Sequence, residues 1–543
     1  MPALSIPSPR PATWDGASAD ALTLPWARAK VIVLVCSVLI AATVRITALD
    51  TYGFSEDEIN KVEAIEQYRA GHFGANAEHP MLMKLAMWAS VGVADRWNRV
   101  APPEAAISPE TAVRLPNALA GAATTAVLFG VADMLFGGSV AAATALIWAL
   151  DVNAIGINRI GKEDTFLLLF FLLAVFCYER AKQQGVADVT GAQRWYTASG
   201  ASFGLMLASK YMPHYLGMYA LFNLLTDPEP GENKPHRLRH YAAMAVAFVT
   251  ADLAILLPST WQYMASYVRG TMLAHHGYAY AGALYVTNVP ISPLGVPVTF
   301  YLRLLATKVP IVALAALVPG VIEMIRRRHE RGFVLLRVLA VFVIVPYSLM
   351  AAKFLRYSLP MLATIDVIAA VGIVAGLGWL LRKNWLPLAA RISVAIAAVA
   401  VFAVGLIRAQ QAAAPFYSLF ENVVGARVNV ARPAFPEDTY DYGVREAVAG
   451  IVSVAAPSAQ IVSDAPAVVA HYVREQSRPD IRVRSLSMDG LDVHARESWA
   501  IVQDEHLTFE NEAVVSQLRA RETPWREIRI DERVVAQIFR LPE

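Results

Sequence analysis

Long apolar runs recur along most of the chain, from Val31 to about Leu406. A helical run of roughly 17 to 25 residues covers the ~30 Å hydrocarbon core of a bilayer. We identify about eleven such runs, and those within residues 111–150 and 195–226 are the hardest to separate. Composition supports the same class, since 56% of the 543 residues are hydrophobic and only 17% are charged. We therefore predict a polytopic membrane protein.

Basic residues mark alternate connections between these runs, and by the positive-inside rule such connections are cytoplasmic. These connections contain Arg28 with Lys30, Arg180 with Lys182 and Arg194, Lys234 with Arg237 and Arg239, residues 326–328 with Arg331, and Arg382 with Lys383. The intervening segments are predicted to face the outer side, and they are residues 50–110, 151–163, 259–298 and 351–357, with everything after about residue 410.

Composition also divides the chain into three predicted parts. Residues 1–29, rich in Pro, Ala and Ser, are expected to be a disordered cytoplasmic tail, and residues 30–409 a transmembrane domain. In residues 410–543 charges return and apolar runs shorten to strand length, which predicts a small extracytoplasmic α/β domain. Its expected strands are AQIVSD, IRVRSLS, WAIVQD and VVAQIFRL, and its expected helices lie in residues 441–456, 465–476 and 509–521. The predicted fold class is therefore mainly α.

The first outer segment, residues 50–110, is too long for a simple connection, and long loops in compact proteins are usually functional. Residues 78–88, EHPMLMKLAMW, have apolar positions that suit an amphipathic helix on the membrane surface. The segment begins with an acidic triplet, Glu56, Asp57 and Glu58. An acidic group there could simply cap the next helix, since carboxylates are favourable at a helix N-terminus.

Further ionisable residues gather at the same predicted face, where such groups are costly and tend to be functional. They are Arg45, His79, Lys84, Arg159, Asp164, Lys210, His275, His276, Lys353 and Arg356. Alternatives remain open for several of them. Lys353 and Arg356 could extend to the lipid headgroups, and Arg159 with Asp164 could form a structural ion pair. The two adjacent histidines lack further metal ligands at a characteristic spacing.

Several motifs in residues 31 to about 409 resemble those of the C-type glycosyltransferases, multispanning enzymes that use polyprenyl-phosphate sugars. RITALDTYGFSEDE is similar to the opening motif of that class, and HPMLMK resembles the His-Pro-Pro-Leu-x-Lys motif of the protein O-mannosyltransferase branch. The resemblance points to the family that also contains aminoarabinose transferase-like enzymes, glycosyltransferase family 39. Further similar segments are RLPNAL, NRIGKEDTFLLLF, HHGYAYAGALYV, YLRLLATKVP and KFLRYSLPML. The departures are Met81, Phe54 and the pair Lys162 and Glu163.

The chemistry that this resemblance implies explains the acidic triplet. A lipid phosphate leaves as an anion and needs no general acid, so one carboxylate is enough. Asp57 is then the expected general base in an inverting transfer, and Glu58 orients the acceptor or shares that role. Cations would stabilise the departing phosphate. The implied donor-binding residues are His79, Lys84, Arg159, Asp164, Lys210, His275, His276, Arg356 and Tyr357.

We therefore predict a membrane glycosyltransferase that moves a mannose, another hexose or a pentose from a polyprenyl-phosphate donor to a protein, lipid or glycan. It is expected to be integral to the cytoplasmic membrane, with its site on the periplasmic or extracellular side. No cofactor, metal or nucleic-acid partner is expected. The alternative is a transporter or lipid-linked-sugar flippase, which would predict inverted repeats and ionisable residues near the middle of the bilayer.

Overall fold

The structure is a computed structural model that describes residues 23–185, 188–226, 234–268, 277–286, 295–382, 386–428, 434–436, 440–491 and 497–542. His275 and His276 lie outside the described residues, as does most of the predicted N-terminal tail. The last residues of that tail are helical, because the first helix begins at Thr23.

Helices dominate the described chain. The first eleven are α1 (Thr23–Ile46), α2 (Glu56–Arg69), α3 (Leu82–Asn98), α4 (Pro109–Phe136), α5 (Gly138–Leu150), α6 (Val152–Asn158), α7 (Asp164–Gln184), α8 (Val189–Ser209), α9 (His214–Thr226), α10 (Lys234–Ala251) and α11 (Pro258–Val268). A short hairpin follows, β1 (Tyr278–Tyr280) with β2 (Ala283–Tyr285). The next helices are α12 (Phe300–Lys308), α13 (Ile311–Arg326), α14 (Arg331–Leu349), α15 (Leu359–Arg382), α16 (Leu388–Ala413) and α17 (Val423–Val428). Single 3-10 turns occupy Pro103–Ala105, Leu253–Leu256, Leu355–Ser358, Tyr417–Leu419 and Asp504–His506.

Five helical segments among the described residues are long and apolar enough to cross a bilayer. The number rises to seven when each of two bent helix pairs, α5 with α6 and α12 with α13, counts as one span. The polytopic architecture is thereby confirmed, and the count of about eleven spans stays a prediction. The five segments are Arg28–Ile46, Pro103–Phe136, Arg331–Leu349, Leu355–Arg382 and Leu388–Ala413.

Small residues let neighbouring helices approach closely. Gly200 and Gly204, one turn apart on α8, face the backbone of α10 at His240 and Met244, where an added Cβ would collide with carbonyl groups. This spacing of small residues is typical of packed membrane helices, whose association depends on van der Waals contact.

The first outer segment folds into α2 and α3, with the predicted amphipathic stretch lying largely in α3. Helix α2 begins with a capping box, in which Ser55 and Glu58 satisfy each other's backbone amides. Met83 and Met87 of α3 are fully buried in a core shared with α4 and the C-terminal region.

The C-terminal region forms a five-stranded sheet with helices, as predicted. Its strands are β3 (Gln460–Ser463), β4 (Arg482–Arg484), β5 (Ser498–Val502), β6 (Arg526–Ile530) and β7 (Arg533–Leu541), in the order β4-β3-β5-β7-β6. Pairing is parallel among β4, β3 and β5, and antiparallel at β7 and β6. The helices are α18 (Val444–Val452), α19 (Pro466–Glu475), α20 (Leu486–Asp489) and α21 (Glu512–Arg521). Of these five strands only β6 was missed by the sequence analysis, which also did not predict the short helix α20.

One hydrophobic core joins this α/β domain to the first outer segment. It contains Phe54 and Ile59 beside Val448, Val468 and Trp499, all nearly inaccessible to solvent. The domain therefore packs directly on the segment that carries the acidic triplet.

Candidate active site

Asp57 lies in the first turn of α2, on the side facing two other predicted outer segments. Its Oδ2 is 2.5 Å from the Lys162 Nζ and 3.6 Å from an Arg356 Nη. Oδ2 is the oxygen nearer to both cations, and the side chain is 39% exposed. The three segments that were predicted to share one face thus meet at this carboxylate.

The charges around Asp57 control its protonation. Burial alone would raise the pKa of Asp57, but the cations of Lys162, Arg356 and Lys61 lower it well below its usual range. Burial lowers the pKa of Lys162 to about 8, even though Asp57 acts in the opposite direction. At neutral pH the pair is therefore ionised, with the carboxylate ready to accept a proton once the surrounding positive charge is offset.

Glu58 has a different environment from its neighbour and faces the protein interior. Arg114 donates from Nε to Glu58 Oε1 over 2.8 Å and from Nη2 to Oε2 over 2.7 Å. The Gly161 amide also donates to Oε1, over 2.9 Å. Glu58 has no exposed surface in this structure, and its expected role in orienting the acceptor or acting as a base stays a prediction. It is a positioning residue, because it fixes α2 against the loop that carries Lys162.

A second, more deeply buried group of charges lies beside Asp57. Glu163 Oε1 is 3.2 Å from the Lys61 Nζ and 3.8 Å from the His79 Nδ1. Burial lowers the pKa of His79 well below its usual value, and the cations of Lys61, Lys162 and Lys210 act in the same direction, so this histidine is neutral. The group thus combines one buried carboxylate with a cation and a neutral imidazole.

Lys210 connects this group to the aromatic side of the site. Its Nζ is 2.7 Å from Asp164 Oδ1 and lies 4.5 Å from the centre of the Tyr357 ring. The Arg356 guanidinium packs over the rings of Phe354 and Tyr357. Within the described residues, this cluster contains four cations and three carboxylates. Its net charge is therefore +1 when all seven groups are ionised. They are Lys61, Lys162, Lys210 and Arg356 against Asp57, Glu163 and Asp164.

Two predicted phosphate ligands contact backbone carbonyls in this structure. The Lys84 ammonium is fully buried and donates to the carbonyls of Ala75, Asn76 and His79, so it closes the loop before α3. Arg159 is 1% exposed, and its guanidinium donates to carbonyls just beyond the end of α1, including those of Thr47 and Ala48. Donor binding by these two cations stays a prediction, since in this structure each of them donates to several backbone oxygens.

The cluster also contains three residues that the sequence analysis did not propose as site residues. Lys61 follows Asp57 by one helical turn, and that spacing was an available signal. Lys162 and Glu163 precede a long apolar helix and were noted only as a departure from the family pattern. An ionisable pair directly before a long apolar run was therefore the signal that pointed to them.

An open groove of about 730 Å³ lies between α2 and α19. It is lined by carboxylates and amides of the outer segment, among them Asn60, Glu63 and Glu78, and by His471 and Arg474 of α19. Asn60 is one helical turn beyond Asp57, so the groove begins beside the candidate base.

One group of carboxylate and histidine side chains among the described residues lies within metal-ligand range. The ligand atoms of Asp441, Glu505 and His506 all lie within 4.8 Å of one another. Their polar atoms already bond to each other and to α2: His506 Nε2 is 2.6 Å from Asp441 Oδ1, and the Glu56 amide donates to Asp441 Oδ2 over 2.7 Å. A hydrogen-bonded network therefore explains their proximity.

Part of the chain matches a known protein family. Residues 105–256 match the family model described as dolichyl-phosphate-mannose-protein mannosyltransferase. No curated protein matches the sequence with significance. The segment that matches the model includes Arg114, Lys162, Glu163 and Lys210.

Similar solved structures extend the comparison over nearly the whole chain. ArnT from Cupriavidus metallidurans in the apo state has 16% sequence identity and a TM-score of 0.51, covering 95% of this chain and 98% of its own. The same ArnT bound to undecaprenyl phosphate has 14% identity and a TM-score of 0.50, with the same coverage. The oligosaccharyltransferase AglB from Archaeoglobus fulgidus, in complex with an inhibitory peptide and a dolichol-phosphate, has 11% identity and a TM-score of 0.51, covering 85% of this chain and 65% of its own. These structures share the fold of this chain, and the family model matches residues 105–256 of its 543 residues.

Proposed function

We propose that this protein transfers a sugar from a polyprenyl-phosphate donor to a hydroxyl-bearing or amine-bearing acceptor, with Asp57 as the general base. The observation that carries this proposal is the asymmetric environment of Asp57. Oδ2 is the oxygen nearer to Lys162 and Arg356, and the side chain that also carries Oδ1 is partly exposed. A base must be fixed in this way and still reach its substrate.

The charge of the cluster supports a phosphate-linked donor. A sugar phosphodiester carries a single negative charge, which matches the one positive charge left among the cluster residues of the described chain. Lys210, Arg356 and Lys162 would contact the phosphate, and the isoprenoid chain would lie between spans. ArnT and AglB, which share the fold, bind undecaprenyl phosphate and dolichol-phosphate, and this agrees with a donor of that kind.

The proposed reaction is a single displacement. The acceptor heteroatom attacks the anomeric carbon, the bond from that carbon to the phosphate oxygen breaks, and the proton of the acceptor passes to Asp57 Oδ1. Polyprenyl phosphate departs with the bonding electron pair, and the cations stabilise the charge that develops on it. No general acid is needed, and the anomeric configuration inverts.

The order of binding follows from electrostatics. Without donor, the cations hold the pKa of Asp57 well below its usual range and weaken it as a base. A bound phosphate offsets these cations, so the pKa of Asp57 rises and the carboxylate becomes a stronger base. Donor binding would therefore prepare Asp57 for the acceptor, which approaches from the groove beside α2. The acceptor is a protein, lipid or glycan, and the site faces the periplasmic or extracellular side of the cytoplasmic membrane.

The test is transfer of radiolabelled sugar from a panel of polyprenyl-phosphate donors to total membrane fractions by the purified full-length chain. Asp57→Asn keeps the shape of the side chain and removes its basicity, so we expect label transfer to be lost. Asp95→Asn is the matched control, since Asp95 is an exposed carboxylate of the same outer segment. Absence of transfer from every donor by the intact protein would refute the proposal, and flipping of the same lipids would be measured next.

A further inference from the structure

The C-terminal domain binds the backbone of residues 50–56, the segment that leads into α2. The Phe54 amide donates to the Tyr472 hydroxyl over 2.6 Å, and the Glu56 amide donates to Asp441 Oδ2 over 2.7 Å. Both amides lie within three residues of Asp57. Two side chains of the C-terminal domain thus fix the backbone directly before the candidate base.

A third side chain extends this contact. Arg445 donates to the carbonyls of Asp50 and Thr51 over 3.0 and 2.9 Å, and to Glu110 of α4 over 3.2 Å. From the opposite side, Arg114 donates to carbonyls of the same segment. The segment before α2 is therefore held between the membrane domain and the C-terminal domain.

The two residues that bind amides are themselves rigidly held. The Tyr472 hydroxyl donates to Glu110 Oε1 over 3.0 Å, and this tyrosine is 1% exposed. Asp441 bonds to His506, and its own amide donates to Glu505 over 2.6 Å. Burial alone would lower the pKa of His506, but Asp441 and Glu505 raise it to about 10, so a charged imidazolium holds the Asp441 carboxylate.

Gly53 permits this close approach. A Cβ at this position would lie 2.8 Å from the Tyr472 hydroxyl oxygen and 2.9 Å from the Arg445 Cβ. Real Cβ atoms do not come that close to other atoms, so any larger residue would push the segment away from the C-terminal domain. Gly53 therefore allows residues 50–56 to pack closely against the C-terminal domain.

We propose that Asp441 and Tyr472 are positioning residues for Asp57, so that the C-terminal domain is part of the catalytic unit. The proposal rests on the function proposed above. A displacement of about 1 Å in a reacting group can cost about 10²-fold in rate. Neither residue belongs to the donor cluster or the groove lining, so their loss lowers kcat and leaves both KM values unchanged.

The experiment compares Asp441→Asn and Tyr472→Phe with Asp480→Asn in the full-length chain. Asp480 is a partly exposed carboxylate of the same domain and pairs with Arg478. Among the described residues, neither member of this pair is hydrogen-bonded to α2 or to residues 50–56. We expect a kcat lower by about 10- to 100-fold in the first two variants, with unchanged KM values for donor and acceptor. Asp441→Glu, which keeps the charge, recovers part of the lost rate.

Hydrogen exchange provides a readout that does not depend on activity. Peptides covering residues 50–60 should exchange faster in Asp441→Asn and Tyr472→Phe than in Asp480→Asn. Tyr472→Phe removes the acceptor of the Phe54 amide, and Asp441→Asn removes the charge that strengthens the hydrogen bond from the Glu56 amide and pairs with His506. Unchanged exchange, or a higher KM at constant kcat, would overturn the positioning proposal. An intact protein without any transfer, or a fully active Asp57→Asn variant, would instead overturn the proposed function.

Discussion

The ion pair between Arg114 and Glu58 provides a strong test of how the site is built. We consider Arg114→Met, which removes the cation and keeps an unbranched apolar side chain of similar length. Arg114 makes two hydrogen bonds to Glu58 and three to the carbonyls of Leu49, Tyr52 and Gly53. The two charged side chains are 0% and 1% exposed, so water cannot replace the lost partner.

The expected cost follows from that burial. Breaking one side of a buried ion pair costs about 3–5 kcal/mol, because an uncompensated charge remains. Each carbonyl that loses its donor adds roughly 1 kcal/mol. With three such carbonyls, we therefore expect Arg114→Met to lower the free energy of unfolding by about 6–8 kcal/mol. Glu58→Gln should cost about 3 kcal/mol, and the pair should show a coupling of about 2–3 kcal/mol in a double-mutant cycle.

The assay is unfolding by sodium dodecyl sulfate in mixed micelles, followed by tryptophan fluorescence. Arg69→Met is the matched control, since Arg69 pairs with Asp95 over 2.6 Å but both side chains are more than 40% exposed. An exposed pair contributes about 0–1 kcal/mol. If Arg114→Met costs no more than Arg69→Met, or if the coupling is near zero, Glu58 is not the buried positioning residue described above.

Three further predictions concern the charges of the site. Lys162→Met removes a cation that lowers the pKa of Asp57, so the pKa of Asp57 should rise. Activity is lost as this base is protonated, so the acidic limb of the kcat/KM profile should move to higher pH. An acidic limb at unchanged pH would argue against Asp57 as the base. In the intact protein, the acidic limb of kcat should lie at higher pH than that of kcat/KM, since bound donor offsets the cations; coincident limbs would contradict the proposed order of binding. Arg356→Gln should reduce kcat by about 10²-fold or more, as loss of one transition-state hydrogen-bond donor does. Arg159→Met should instead lower thermal stability and leave the KM for donor unchanged. A higher KM for donor with unchanged thermal stability in Arg159→Met would support Arg159 as a phosphate ligand.

The sequence predicted the C-terminal strands well for a physical reason. Short runs of β-branched residues bounded by polar turns, such as AQIVSD, are specific to buried strands. Strand β6, REIRI, was missed because it alternates arginine with isoleucine and has few β-branched neighbours. It occupies the edge of the sheet, where charged side chains can face solvent.

The site was only partly predictable, because the roles of neighbouring residues depend on tertiary contacts. Asp57 and Glu58 point about 100° apart on a helix, and the sequence does not fix which one faces the cavity. Arg114, which draws Glu58 inward, lies 56 positions away. The sequence analysis assigned Lys84 and Arg159 to the donor. In the structure both donate to backbone carbonyls, and no sequence motif reveals acceptors of that kind.

The most direct test of the account is the anomeric configuration of the product, determined by nuclear magnetic resonance after transfer from a donor of known configuration. The central claim is that one carboxylate, Asp57, assists a single displacement on a polyprenyl-phosphate sugar. That mechanism predicts complete inversion at the anomeric carbon. Retention of configuration would require two displacements through a covalent intermediate and would contradict the role assigned to Asp57.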